Sequence, residues 1–284
     1  MRLRVGAWRP AGNCSGTVFV LPGRSDYIEM YGHAVSSFVG FGYAALVIDW
    51  RGHGLSDRVA RDPLVCHVNK FADYQQDVAA MVEVAQNLDL PKPWYLVGHS
   101  MGACIGLRAL LNGLPVAACA FTAPMWDIHL SKVQRMVALP LTWAAQAIGK
   151  GHVYAPGYSG QSYVLRVDFE GNRLTSDPEM YRYWVNQGRA EPQLHTGGPS
   201  MGWLYQSLIE MRSLSKEPSP NMRCLAIYGD QEEVVDVAAI QERIARWPGG
   251  QIDVIKTAKH EIMLESADIR ATVISRICDH FASV

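Results

Sequence analysis

Residues 94–107 read WYLVGHSMGACIGL. Trp94 to Val97 form a short, continuously apolar run, which suits a strand covered on both faces. The run ACIGLRALL from Ala103 reads as a helix. Between them lies the pattern G-x-S-x-G. A sharp strand-to-helix turn would lift Ser100 into the open, and Gly98 and Gly102 would let the two backbones pass closely. The Ser100 side chain and the next amide then sit at a helix N-terminus, which favours a developing negative charge. A second match, GPSMG, occurs at 198–202 within HTGGPSMGWL. A Gly-Gly-Pro loop precedes it, and Pro199 has no amide to give to a strand. Ser200 is therefore expected to cap the helix MGWLYQSLIEM, and Ser100 is the candidate nucleophile.

The same alternation extends along the chain. RLRVGAW and TVFVL read as two early strands. YAALVI, WYLV, VAACAF, RCLAIY and QIDVIK read as later ones. FADYQQDVAAMVEVAQNL brings Phe71, Tyr74, Val78, Met81, Val82 and Ala85 near one helical face. VAAIQERIARW does so with Ile240, Ile244 and Trp247, and IRATVISRICDHF with Ile269, Val273, Ile277 and Phe281. The expected fold is α/β: a mainly parallel sheet flanked by helices. Residues from about 125 to 212 break the rhythm, with helices and loops but no clear strand. The predicted organisation is a core of 1–124 and 213–284 interrupted by a helical cap, 125–212.

Composition narrows the classes. Lys and Arg total 26 against 27 Asp and Glu, and no basic stripe or acidic run stands out, so nucleic acid is not an expected partner. The six cysteines are far apart with no C-x-x-C pair, and several lie in apolar runs, which suits buried thiols in a reducing, cytoplasmic compartment. MRLRVGAWRP lacks an apolar stretch of signal-peptide length. No metal or organic cofactor is expected.

A serine hydroxyl needs a base, and the base needs an acid to orient it. On this kind of sheet the chain order is serine, acid, histidine. His260, in the loop TAKH after QIDVIK, is the candidate base. Duller settings surround His53 in RGHG, His99 inside the turn and His195 before Gly-Gly. The acid falls in YGDQEEVVDV. Glu232 lies three residues past Gly229, where the loop can turn it toward His260. Asp230 and Asp236 remain alternatives, and Asp236 is also placed to cap the next helix. The amides of Met101 and Arg24, the latter in the loop VLPGRSD, are the candidate oxyanion donors.

LPGR, YAALVIDWRGHGLSDR, GHSMG, GDQEEVVD and KHEIMLE together resemble the α/β-hydrolase superfamily. Their order and wording resemble its monoglyceride lipase and bacterial lysophospholipase branch, over most of the chain. GGPSMGWLYQSL in the cap is similar to a stretch in bacterial lysophospholipases. The resemblance implies Ser100 as nucleophile and His260 as base. Glu232 falls where an Asp is usual, and Arg24 falls on the amide donor of the oxyanion loop. It also implies hydrolysis of acyl esters of lysophospholipids or monoacylglycerols through an acyl-enzyme. Small-ester or lactone hydrolysis, transacylation, or a non-catalytic binding role on the same fold are the rival readings.

In the cap, Met125, Trp126, Met136, Val137, Leu141, Trp143 and Trp184 are candidates to line an acyl pocket for a small lipid or ester. Charge there is close to balanced, so no phosphate clamp stands out. The helix around 131–148 is a candidate for peripheral contact with the inner face of a membrane, although Pro140 is expected to interrupt it.

Overall fold

The computed structural model describes residues 1–284. Seven strands form one sheet: β1 (Arg4–Trp8), β2 (Thr17–Leu21), β3 (Ala44–Asp49), β4 (Trp94–His99), β5 (Ala118–Thr122), β6 (Cys224–Gly229) and β7 (Gly250–Ile255). The helices are α1 (Gly32–Gly40), α2 (Asp73–Asn87), α3 (Met101–Leu111), α4 (Lys132–Ala147), α5 (Tyr163–Arg166), α6 (Pro178–Ala190), α7 (Met201–Leu214), α8 (Val237–Ala245) and α9 (Ala267–Ala282). Strand order is β1-β3-β2-β4-β5-β6-β7. β1 runs antiparallel to β3, and every other pairing is parallel.

The central strands explain their own apolar runs. Every residue of β2 to β6 is buried. Side chains alternate between faces, so two cores form. Phe19, Leu21, Leu46, Ile48, Leu96 and Phe121 face one core, closed by α2, α3 and α8. Val18, Val20, Ala45, Val47, Tyr95 and Val97 face the other, closed by α1 and α9. Edge strands differ: Trp8 of β1 and Val254 of β7 are exposed. Tyr74, Val78, Met81 and Ala85 of α2 and Val273, Ile277 and Phe281 of α9 are buried as their periodicity predicts, while Val82 and Ile269 lie at the rim. Helix α1 has glycine at both ends and only nine residues, and it buries Ala34, Val35 and Phe38.

Between β5 and β6 the chain forms α4 to α7 and no strand. Helix α7 runs on to Leu214, and its Trp203, Met211 and Leu214 join the core over the sheet. Helix α4 opens on a capping box between Ser131 and Gln134. Contrary to expectation, it continues through Pro140. The proline is exposed, and the lost amide bond costs least where water reaches the backbone. Thr142 is the only buried residue of α4. No helix is long and apolar enough to cross a membrane.

Candidate active site

Because β2, β4, β5, β6 and β7 are parallel, their C-terminal ends share one edge, where ligands bind in open α/β sheets. Ser100 sits there, between β4 and α3. Its backbone is strained, with φ 48° and ψ −114°, and its amide is held by the Thr122 carbonyl at 3.0 Å. Small neighbours make the turn possible. A β-carbon on Gly102 would lie 2.0 Å from the Leu21 carbonyl oxygen, and one on Gly98 would lie 2.8 Å from Ala103 Cα. Both obstacles are backbone, so relief would require moving α3 off the sheet. Gly102→Ala is expected to destabilise the protein by about 3 kcal/mol or more, read as a lowered urea midpoint. An unchanged midpoint would show that the elbow tolerates a side chain.

The loop after β7 delivers His260 to this serine. His260 Nε2 accepts from Ser100 Oγ at 2.9 Å, and Nδ1 donates to Glu232 Oε2 at 2.7 Å. All three side chains are nearly or fully buried. Glu232 Oε1 also accepts from the amides of Val234 at 2.6 Å and Val235 at 3.1 Å. The longer glutamate thus folds back on its own loop while reaching the imidazole. Burial alone would raise the Glu232 carboxyl; attraction to His260 and these amides outweighs it and holds the group below the usual range.

The rival acids are occupied elsewhere. Asp236 caps α8 through the amides of Ala238 and Ala239, and Asp230 Oδ1 accepts from the amide of Thr257. Gly229 allows the β6 and β7 loops to meet, since a β-carbon there would lie 2.0 Å from the Ala258 carbonyl oxygen. The amides of Arg24 and Met101 bond no other group of the protein, and Met101 is the first residue of α3. Ser200 is the N-cap of α7, accepting from the amide of Trp203 at 2.9 Å. It also contacts His67 Nδ1 at 2.7 Å, but the far nitrogen of that ring meets Asn69 rather than an acid, and Ser200 is fully buried.

The seven apolar side chains expected to line a pocket are not brought together. Met125 and Trp126 are packed in the sheet core, Trp126 against Phe121 and Trp247. Trp184 is buried in the opposite core beside Tyr181. Trp143 lies on the outer surface of α4, in a groove with Leu139, Tyr205 and Ile209. Met136, Val137 and Leu141 are likewise exposed. Apolar identity alone does not distinguish a pocket wall from a core or a surface.

Two groups near the site escaped the sequence reading, although KHEIMLE contains both. Glu261 lies 2.9 Å from His99 Nε2. Glu265, fully buried, accepts from Thr175, Ser176 and the amide of Lys259, tying the base loop to the segment before α6. Two acids in an otherwise apolar run were the available signal. His99, His260 and Glu261 have potential ligand atoms within 4.8 Å of one another. The ion pair between His99 and Glu261 competes with metal binding, because an imidazolium has no free lone pair.

This arrangement of serine, histidine and carboxylate at the strand ends of a mostly parallel sheet defines an α/β-hydrolase enzyme. The chain belongs to the family described as serine aminopeptidase, S33, which it matches over residues 12–267. It is similar to lysophospholipase L2 of Escherichia coli (strain K12), with 30% identity over 282 residues, covering 93% of this chain and 79% of that one. It is also similar to the monoacylglycerol lipase of Mycolicibacterium smegmatis, with 23% identity over 98% of this chain and 94% of the other. Among solved structures, a thermostable carboxyl esterase from Bacillus coagulans shares the fold, with a TM-score of 0.78 at 17% identity, covering 99% and 94% of the two chains. The branch suggested by the sequence motifs is the one in which these relatives fall.

Proposed function

We propose that the protein hydrolyses acyl esters of lysophospholipids or monoacylglycerols, with Ser100 as nucleophile, His260 as base and Glu232 as its orienting acid. The hydrogen-bonded chain from Ser100 through His260 to Glu232 carries this reading. His260 takes the Ser100 proton as Oγ attacks the ester carbonyl, and Glu232 stabilises the imidazolium that forms. The Arg24 and Met101 amides donate to the oxyanion. The alcohol leaves with the proton from His260. Water, deprotonated by His260, then releases the fatty acid. The proposed division is a catalytic core of 1–124 and 213–284, with 125–212 as the cap.

The test is fatty-acid release from a monoacylglycerol and a lysophospholipid of one chain length, with a short soluble ester alongside. Cleavage of either lipid supports the reading, and their ratio names the preferred head group. Cleavage of the short ester alone would restrict the enzyme to small esters.

We further propose a cytoplasmic protein that docks on the inner face of the membrane through α4. Met136 is 70% exposed, Val133 64%, and Ile148, just past the helix end, 73%. Such apolar area gains free energy on entering a lipid interface. Replacing Val133, Met136 and Ile148 with serine is expected to cut partition onto anionic phospholipid vesicles at least tenfold, measured by co-sedimentation. Equal partition of variant and parent would remove α4 as the docking element.

A further inference from the structure

Beside the Ser100–His260–Glu232 chain lies a second buried charged cluster that the acyl-transfer steps do not use. His99 Nδ1 lies 3.1 Å from the Thr122 carbonyl oxygen and 3.0 Å from its hydroxyl. His99 Nε2 faces the Glu261 carboxylate at 2.9 Å. The Thr122 carbonyl can only accept, which places a proton on Nδ1, and the Glu261 charge beside Nε2 favours a second proton there, so His99 is read as an imidazolium paired with a carboxylate. The Nε2–H bond is not aimed along the line to the carboxylate, which makes the contact an ion pair rather than a linear hydrogen bond. Burial alone would lower the His99 pKa, but Glu261, with Asp26 and Glu232 beyond it, holds it up at about 9.

Asp26 extends the cluster. Its Oδ2 accepts from the Gly23 amide at 2.7 Å and from Tyr31 Oη at 2.8 Å. Burial and the Glu261 charge push its carboxyl up to about 7. The His99 ring rests against the same loop, since a β-carbon on Gly23 would lie 3.0 Å from His99 Cδ2. On its other side, the His99 ring centroid is 5.0 Å from that of His260. Asp26, His99 and Glu261 are all buried, and each comes from a different segment: two loops and the end of β4. Asp26 belongs to the loop of the Arg24 amide, His99 to the elbow and Glu261 to the base loop.

We propose that Glu261 is a positioning residue: through its ion pair with His99, whose ring rests against Gly23, it holds the base loop and the oxyanion loop in register with Ser100. The proposal rests on the acyl-transfer role given to Ser100 above. An unpaired buried imidazolium is costly, so the cluster is favourable only when the end of β4 and the two loops are together. A misplacement of about 1 Å at a reacting centre costs on the order of 10²-fold in rate.

The test compares wild type with Glu261→Gln and Glu261→Asp. The readouts are kcat and KM on a short soluble ester from pH 5 to 9, with the ring nitrogens of His99 followed by NMR. In wild type, both His99 nitrogens should be protonated at pH 7.5. In Glu261→Gln, kcat should fall at least tenfold with KM changed less than threefold. Its kcat profile should gain an inflection between pH 5 and 9, where His99, facing Asp26, Glu232 and His260 without its main partner, now sheds its proton. Glu261→Asp should recover part of kcat. A folded Glu261→Gln variant with wild-type kcat and pH profile would overturn the proposal, as would a bare His99 nitrogen in wild type at pH 7.5. If the Gln variant fails to fold, the wild-type nitrogens and the Asp variant decide. Inactive wild type would instead defeat the acyl-transfer reading, and the NMR result does not depend on it.

Discussion

Replacing Ser100 with alanine is expected to lower ester turnover by about 10⁴-fold or more, with the fold retained. The serine Oγ is the only atom removed. Its partner, His260 Nε2 at 2.9 Å, would lose one hydrogen bond of about 1 kcal/mol. Alanine would inherit the strained positive φ, as serine does, so backbone strain is unchanged to first order. Stability and activity should therefore separate. Thermal unfolding should stay within a few degrees of the parent, while fatty-acid release and labelling by a fluorophosphonate both vanish. A folded Ser100→Ala protein that still cleaves esters at the parent rate would end the assignment.

The second large effect is expected at Glu232. Glu232→Gln keeps the side-chain length but replaces the acceptor at His260 Nδ1 with an amide that can present N–H. The imidazole is then free to hold its proton on the nitrogen facing Ser100, the wrong tautomer for a base. kcat/KM should fall by about 10³- to 10⁴-fold. Glu232→Asp should recover part of the rate. Its shorter side chain cannot span both His260 and the amides of Val234 and Val235, so some geometry is lost. Stability should also respond to pH with a definite sign. The folded-state pKa of Glu232 is depressed, so its contribution is present above the unfolded carboxyl value and is lost as pH falls through the folded one. Acid unfolding of Glu232→Gln should lack that component. Wild-type kcat/KM in a folded Glu232→Gln protein would return the acid to Asp230 or Asp236.

The sequence by itself determined the strands, the elbow and the order of the catalytic candidates. A strand covered on both faces must be apolar at every position, and β2 to β6 announce themselves in that way. A serine lifted between strand and helix needs small neighbours, and Gly98 and Gly102 announce that too. These are demands on residues close in the chain. The choice of acid was different. Asp230, Glu232 and Asp236 share one loop, and local chemistry suited all of them. Only the docking of the β7 loop on the β6 loop sets their contacts apart, by occupying Asp230 with Thr257 and bringing His260 to Glu232. The walls of the site were equally hidden. Trp126 and Trp143 are both aromatic residues of the predicted cap, yet one is buried against Trp247 and the other faces solvent. Pairings such as Ser100 with His260, 160 residues apart, or His99 at the end of β4 with Glu261 in the loop after β7, exist only after the sheet has assembled. Local pattern records which side chains must be buried; tertiary packing decides which of the buried polar ones meet.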